Sequence, residues 1–169
     1  MFKHLLVPLD GSELSEKALS TARQVLGSEG TLTLLTVVDL PDINFVLLYD
    51  MPPVIAAHDN TEELLPAAKK NAQAYLDRVV EQMHWPPSII FTKEVCVGNS
   101  ASVIVERAQA LHADAIVMST HGRSGLSRWM YGSVTQRVLA LMPCPVLVVP
   151  GQSSPFDQPT ADEAVTEAS

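Results

Sequence analysis

The sequence predicts an α/β fold: a parallel sheet of five strands with helices on both faces. Two observations predict it. Short apolar, largely β-branched runs alternate along the chain with segments whose apolar residues recur at helical spacing. Helix-cap and turn residues mark the junctions, and such alternation calls for right-handed crossovers between parallel strands.

Residues 3–9 (KHLLVPL) read as the first strand, ending in the turn Asp10-Gly11-Ser12. Ser12 is placed to cap a helix, and Glu13 and Glu16 suit the positive end of its dipole. Leu14, Ala18, Ala22 and Val25 form the stripe of that helix, and Gly27 and Gly30 bracket its exit. Residues 31–38 (TLTLLTVV) are β-branched, apolar and uncharged, as a strand covered on both faces requires.

Residues 39–60 break the alternation, with Pro41, Pro52 and Pro53 around the apolar run from Phe45 to Tyr49. A connection this long either covers a site or partner surface or tucks its apolar residues onto the core, and both readings stand. Helical spacing resumes through Leu65, Ala68, Ala72, Leu76, Val79 or Val80 and Met83, and stops at Pro86-Pro87. Residues 88–97 (SIIFTKEVCV) are the third strand. Gly98-Asn99-Ser100 opens a helix with Ala101, Ile104, Ala108 and Leu111 as its stripe, and 114–119 (DAIVMS) is the fourth strand. After a loop rich in Gly, Ser and Arg, Gly132-Ser133 precedes a helix marked by Val134, Val138 and Leu141, and 145–149 (PVLVV) is the fifth strand. Residues 1–150 are expected to form one domain, and 151–169 an acidic, disordered tail.

Composition narrows the function. The 169 residues suit a single domain that buries roughly two-thirds of its unfolded surface. Nineteen acids against eleven bases give a net charge of −8, which argues against a nucleic-acid or anionic-membrane binder. The two cysteines, Cys96 and Cys144, form no metal-ligand pattern and read as reduced core thiols. No signal peptide or membrane-spanning run is apparent, so a cytoplasmic location is expected.

The charge is unevenly spread. Four acids lie in the tail beside no base, so residues 1–150 carry −4, whereas residues 115–150 carry +3 and no acid. His121, Arg123 and Arg128 fall in the glycine-bearing stretch Ser119 to Gly125 and beyond, before Gly132-Ser133, with Arg137 on the following helix. In parallel α/β sheets ligands bind beyond the carboxyl ends of the strands, so the strand-to-helix turns 10–12, 39–60, 98–100 and 119–132 are the candidate positions. Glycines let backbone amides approach an anion, a helix start supplies free N–H groups, and the Ser133 hydroxyl adds a donor. The same residues also suit a plain helix cap, a turn glycine and a solvated basic face.

Other chemistries lack their motifs. There is no Gly-x-x-x-x-Gly-Lys phosphate loop, no Gly-x-Gly-x-x-Gly after the first strand and no His-Glu-x-x-His. Gly122 to Leu126 misses the nucleophile elbow by its last glycine. His4, His58, His84 and His112 have no ligating partner at useful spacing.

Taken together, LLVPLDGSELSEKAL, TLLTVVD, DAIVMSTHGRSGLSRWMYGSVTQRVL and CPVLVVP resemble the universal stress protein family over residues 2–150. The family's nucleotide-binding branch has Gly-x-x-Gly, nine residues, then Gly-Ser/Thr. Here Ser119-Thr120-His121-Gly122 is followed by nine residues and by Gly132-Ser133, with Ser119 in place of the first glycine. The resemblance implies an open, Rossmann-like sheet of the adenine nucleotide alpha hydrolase type, in the order 3-2-1-4-5. It implies that Pro8, Leu9 and Asp10 meet a nucleoside and that the Val37 backbone reads adenine. Met118 and Ser119 would flank the ribose, and Gly122, Gly132, Ser133 and Val134 would hold phosphates, with His121, Arg123 and Gly125 on the same loop. It further implies a homodimer pairing through Val146–Val149, an apolar strand at the sheet edge.

The function so implied is an ATP-binding stress-response sensor or adaptor, with Mg²⁺ accompanying the nucleotide. Ser119 keeps open a nucleotide-free dimeric interaction module with loop 39–60 as partner surface. A slow ATP hydrolase using metal-activated water is the third reading.

Overall fold

The computed structural model describes residues 1–39, 61–120 and 132–151, and omits the side chains of 61–64. Five strands, β1 (Phe2–Pro8), β2 (Leu26–Val38), β3 (Ile89–Val97), β4 (Ala115–Thr120) and β5 (Val146–Pro150), form one sheet in the order β3-β2-β1-β4-β5. Every adjacent pair is parallel. Among the described residues four helices alternate with them: α1 (Glu13–Val25), α2 (Thr61–Gln82), α3 (Ser100–Ala110) and α4 (Ser133–Leu141).

Strand alternation splits the core into two layers. Leu5, Val7, Leu32, Leu34 and Val117 face one side, where Ala18 and Ala22 of α1 and Leu76 and Val79 of α2 close over them. Leu6, Leu35, Ile116 and Met118 face the other, beneath Ala101, Ile104 and Ala108 of α3 and Val138 of α4. The alanines on α1 and α3 let those helices sit close to the sheet.

The largest departure from the sequence reading is at the start of β2. Gly27 and Gly30 belong to the strand, which begins at Leu26 directly after α1, instead of forming a helix exit before residue 31. Leu26 is buried in the core and pairs with Phe2, and the register shifts between Phe2 and His4. Gly30 permits this: a Cβ there would stand 2.7 Å from the Lys3 carbonyl oxygen. Close backbone approach, and not helix termination, is what this glycine serves.

Smaller differences fall at element ends. β4 starts at Ala115, and Asp114 just before it is tied to β1, where its Oδ2 accepts the Lys3 and His4 amides at 2.7 and 2.9 Å. β5 extends to Pro150, and α2 starts at Thr61, ahead of Leu65, with Pro66 inside it. Most of loop 39–60 and of the tail 151–169 lies outside the described residues, so neither reading of that loop is addressed.

Candidate functional site

The carboxyl ends of β1, β2 and β4 and the amino ends of α1, α3 and α4 enclose a cavity of about 260 Å³. It lies where the strand order reverses between β1 and β4, because chain connections leave those two adjacent ends in opposite directions. Pro8, Leu9 and Asp10 line it from β1, Leu35 and Val37 from β2, and Met118, Ser119 and Thr120 from β4. Ser12 and Ser15 of the α1 start, Ser100 and Ile104 of α3, and Gly132, Ser133, Val134 and Thr135 of the α4 start complete the wall. The lining combines apolar side chains such as Leu9, Leu35, Ile104 and Met118 with the hydroxyls of Ser12, Ser15, Ser100, Ser119, Thr120, Ser133 and Thr135.

Asp10 is held by the turn that follows β1. Its Oδ1 accepts the Ser12 hydroxyl at 2.6 Å and the Ser12 amide at 3.0 Å. The Ser12 hydroxyl in turn accepts the Ser15 amide at 3.1 Å, capping α1, while the Asp10 amide donates to Ser15 Oγ at 3.3 Å. Gly11 lies at φ +85°, a conformation that a side chain would strain and that lets the chain double back within one residue. Partial burial pushes the Asp10 carboxyl up, but the hydrogen bonds from Ser12 and Ser15 outweigh it and hold the group below its usual range. Asp10 is therefore an anchored carboxylate, poorly suited to act as a general base at neutral pH.

Three helix starts meet at this cavity, and their capping differs. Ser12 caps α1 beside Asp10. Asn99 caps α3, and the Ser100 amide and hydroxyl at the same end donate to Asp39 Oδ1 and Oδ2 at 3.0 and 2.8 Å. At α4 the cap is Gly132, with no side-chain cap hydrogen bond. Two of the three positive helix ends thus have a carboxylate beside them. The third has none among the described residues.

The backbone of β2 adds a second feature. β1 stops pairing at Pro8 opposite Leu35, and Leu35 O accepts the Leu9 amide at 2.8 Å, so Leu35 turns its backbone polar groups toward β1. On the other edge, Val38 O accepts the Gly98 amide at 3.1 Å. Backbone groups alternate along a strand, so the Val37 N–H and C=O point to the β1 side, beyond the last β1 partner and into the crevice. Val37 offers a donor and an acceptor side by side.

Of the residues the sequence singled out, Pro8, Leu9, Asp10, Val37, Met118, Ser119, Gly132, Ser133 and Val134 all line this cavity. His121, Gly122, Arg123 and Gly125 lie outside the described residues. Arg137, the described arginine of the basic stretch, is exposed on α4 and does not line the cavity. Sequence reasoning did not single out Ser15, Leu35, Ile104, Thr120 and Thr135 as site residues. Leu35 and Ile104 carry no site signal because they also serve the core, Thr120 lies in the marked 119–132 turn without being picked out, and Thr135 is a buried polar residue whose placement only the fold reveals. Ser12 and Ser100 stood in turns marked for inspection but were read as helix starts.

The remaining polar features are structural. His4 Nε2 pairs with Thr33 Oγ1 at 2.9 Å on the sheet face, and Arg107 binds Glu94 bidentately at 2.7 Å. Cys96 and Cys144 are free and half-buried, and burial first of all pushes both thiols up. Among the described residues no three His, Cys, Asp or Glu side chains converge as a metal site, and no helix is long and apolar enough to cross a membrane.

Residues 1–150 match the model of the universal stress protein family. The chain belongs to that family. It is 33% identical over 151 residues to Universal stress protein MJ0531 of Methanocaldococcus jannaschii, covering 88% of this chain and 82% of that one. Among solved structures it resembles the hypothetical protein MJ0577 at 27% identity, over 91% of this chain and 99% of that chain, with a TM-score of 0.69. A universal stress protein solved in complex with cAMP shares the fold at 20% identity and a TM-score of 0.56, over 89% and 98% of the two chains. Apart from Ser100 and Ile104 of α3, the crevice between β1 and β4 of this universal stress protein fold is thus built from the segments that carry the family resemblance in the sequence.

Proposed function

We propose that this universal stress protein binds an adenine nucleotide, ATP accompanied by Mg²⁺, in the crevice at the ends of β1, β2 and β4. It would use that binding as a stress-response sensor or adaptor. The observation that carries the reading is the α4 start. Among the described residues it is the one helix start on the cavity with no side-chain cap, and its cap residue is a glycine with no described atom within 4 Å of where a Cβ would stand. Free first-turn amides, the dipole and the Ser133 hydroxyl suit a phosphate there. The Val37 N–H and C=O match the donor and acceptor on the edge of an adenine ring, and Pro8, Leu9 and Met118 suit the nucleoside. On the sequence motif, His121, Gly122, Arg123 and Gly125 extend the phosphate end, and Ser119 takes the place of a glycine beside the ribose. The relative bound to cAMP holds an adenine nucleotide on the same fold.

Among the described residues, Asp10 is the single acidic side chain lining the cavity. One carboxylate suits an Mg²⁺ ion that arrives with the nucleotide and keeps its phosphate and water ligands, in place of a dedicated protein cage. No described side chain is placed as a base for hydrolysis, which favours sensing over fast turnover. Residues 1–150 would form the nucleotide-binding domain, in the cytoplasm, as a homodimer through Val146–Val149 on the edge strand β5.

Acid extraction of the purified protein, with chromatography of the extract, tests the reading together with thermal-shift titration using ATP and Mg²⁺. Co-purified adenine nucleotide or a rise in melting temperature supports it. Neither signal at millimolar ATP removes it in favour of the nucleotide-free interaction module.

A further inference from the structure

Asp39 is the first residue after β2, and both of its carboxylate oxygens are spent on one neighbour. Oδ1 accepts the Ser100 amide and Oδ2 the Ser100 hydroxyl, at 3.0 and 2.8 Å. Ser100 lines the cavity, and Asp39 reaches it from a residue 61 positions earlier, so this contact latches the end of β2 to the start of α3. The latch is reinforced next door, where the Gly98 amide donates to Val38 O at 3.1 Å.

An N-cap already exists at this helix. Asn99 Oδ1 accepts the Ser102 amide at 3.2 Å, which is the bond a cap side chain normally makes. The Asp39 carboxylate is therefore a second acceptor at the same helix end, and it carries a full negative charge where the cap is neutral. It consumes a first-turn amide and a hydroxyl that would otherwise face an anion, and it offsets the positive end of the α3 dipole.

We propose that Asp39 is a specificity-determining residue that closes the α3 start to anions, so that the phosphates of a bound nucleotide are directed to α4 alone. The inference rests on the nucleotide-binding reading. Asp39 repels charge at the nucleoside end of the cavity, so a polyphosphate is held in one orientation. It also lowers the affinity gained with each added phosphate. Asp39 does not line the cavity, and its effect on an uncharged nucleoside is nil.

The test is a ladder of adenosine, AMP, ADP and ATP titrated calorimetrically in low salt against the full chain, Asp39→Asn and Asp39→Glu. Asn keeps an acceptor for the Ser100 amide while removing the charge. For charges ~10 Å apart in a water-like dielectric, its removal strengthens binding about twofold per added ligand charge. Asn should therefore leave adenosine unchanged and steepen the ladder, and Glu should restore the original slope. Should Asn prevent folding, Asp39→Ser, a neutral acceptor suited to helix starts, takes its place with the same expected slope. Equal shifts for adenosine and ATP, an unchanged slope, or a Glu variant that behaves like Asn would overturn the proposal while leaving the nucleotide reading intact. Failure of the unsubstituted protein to bind any rung would sink both.

Discussion

Thr120 Oγ1 accepts a hydrogen bond from the Gly132 amide at 3.2 Å, joining the last residue of β4 to the cap of α4. Thr120 is 8% exposed and lines the cavity, so its hydroxyl fixes the helix start at which the phosphate is proposed to sit. Thr120→Val keeps the shape and removes the acceptor. It is expected to cost about 1 kcal/mol of stability, measured by urea denaturation, and to weaken ATP more than adenosine. A variant that binds both ligands as before would show that the α4 start does not depend on this bond.

Gly132 separates fold from binding. A Cβ there meets nothing within 4 Å among the described residues and the backbone sits at φ −58°, so Gly132→Val should fold. Its branched side chain would fill the phosphate path and abolish ATP binding. Gly132→Asp goes further, because its carboxylate supplies the missing cap and sits at the positive helix end. That variant should be more stable by about 1 kcal/mol and bind no ATP. A thermal-shift series on the three proteins checks both signs at once.

Asp10 sets a pH dependence. Its folded carboxyl titrates below the usual 3.8, so its contribution is present above that value and is lost as pH falls through the lower, folded value. The stability difference between the wild-type chain and Asp10→Asn should be constant near neutrality and shrink on acidification below about pH 4. Denaturation at graded pH measures it. A gap that persists unchanged in acid would show that Asp10 contributes nothing through its charge.

Tyr75 should titrate late. Burial above all, and the charge of Glu16, push its phenol up to about 12 although Ser15 opposes the shift, and its hydroxyl donates to Glu16 Oε1 at 3.1 Å. A raised folded value means the contribution is complete below about pH 10 and disappears as pH climbs toward 12. Ultraviolet titration should show one phenolate forming well after the others. Tyr75→Phe should remove that late step and cost about 1 kcal/mol by uncoupling α2 from the first turn of α1.

The β5 edge carries the assembly prediction. Val146–Val149 are only half-buried, and nearby Leu141 and Met142 are 53% and 64% exposed. Light scattering at micromolar concentration should return the mass of two chains, and Val148→Lys should shift it toward one. A single-chain mass for the unsubstituted protein would remove the dimer.

Element order, the parallel sheet and most of the cavity lining are legible in the sequence. Strand runs such as TLLTVV and stripes such as Ala18, Ala22 and Leu76, Val79 encode burial locally, through spacing and side-chain size. The turn residues Asp10 and Gly132 announce themselves because glycine and short polar side chains are selected by backbone geometry. The features that sequence does not disclose are long-range. The role of Gly30 depends on the Lys3 carbonyl across the sheet, and that of Asp39 on Ser100, 61 residues away. Nor could sequence show that α3 starts beside a carboxylate from the end of β2 while α4 starts with no side-chain cap among the described residues. The physical reason is the same in each case: local pattern specifies which face of an element is buried, whereas hydrogen-bond partners and charges distant in sequence meet only once the chain has folded.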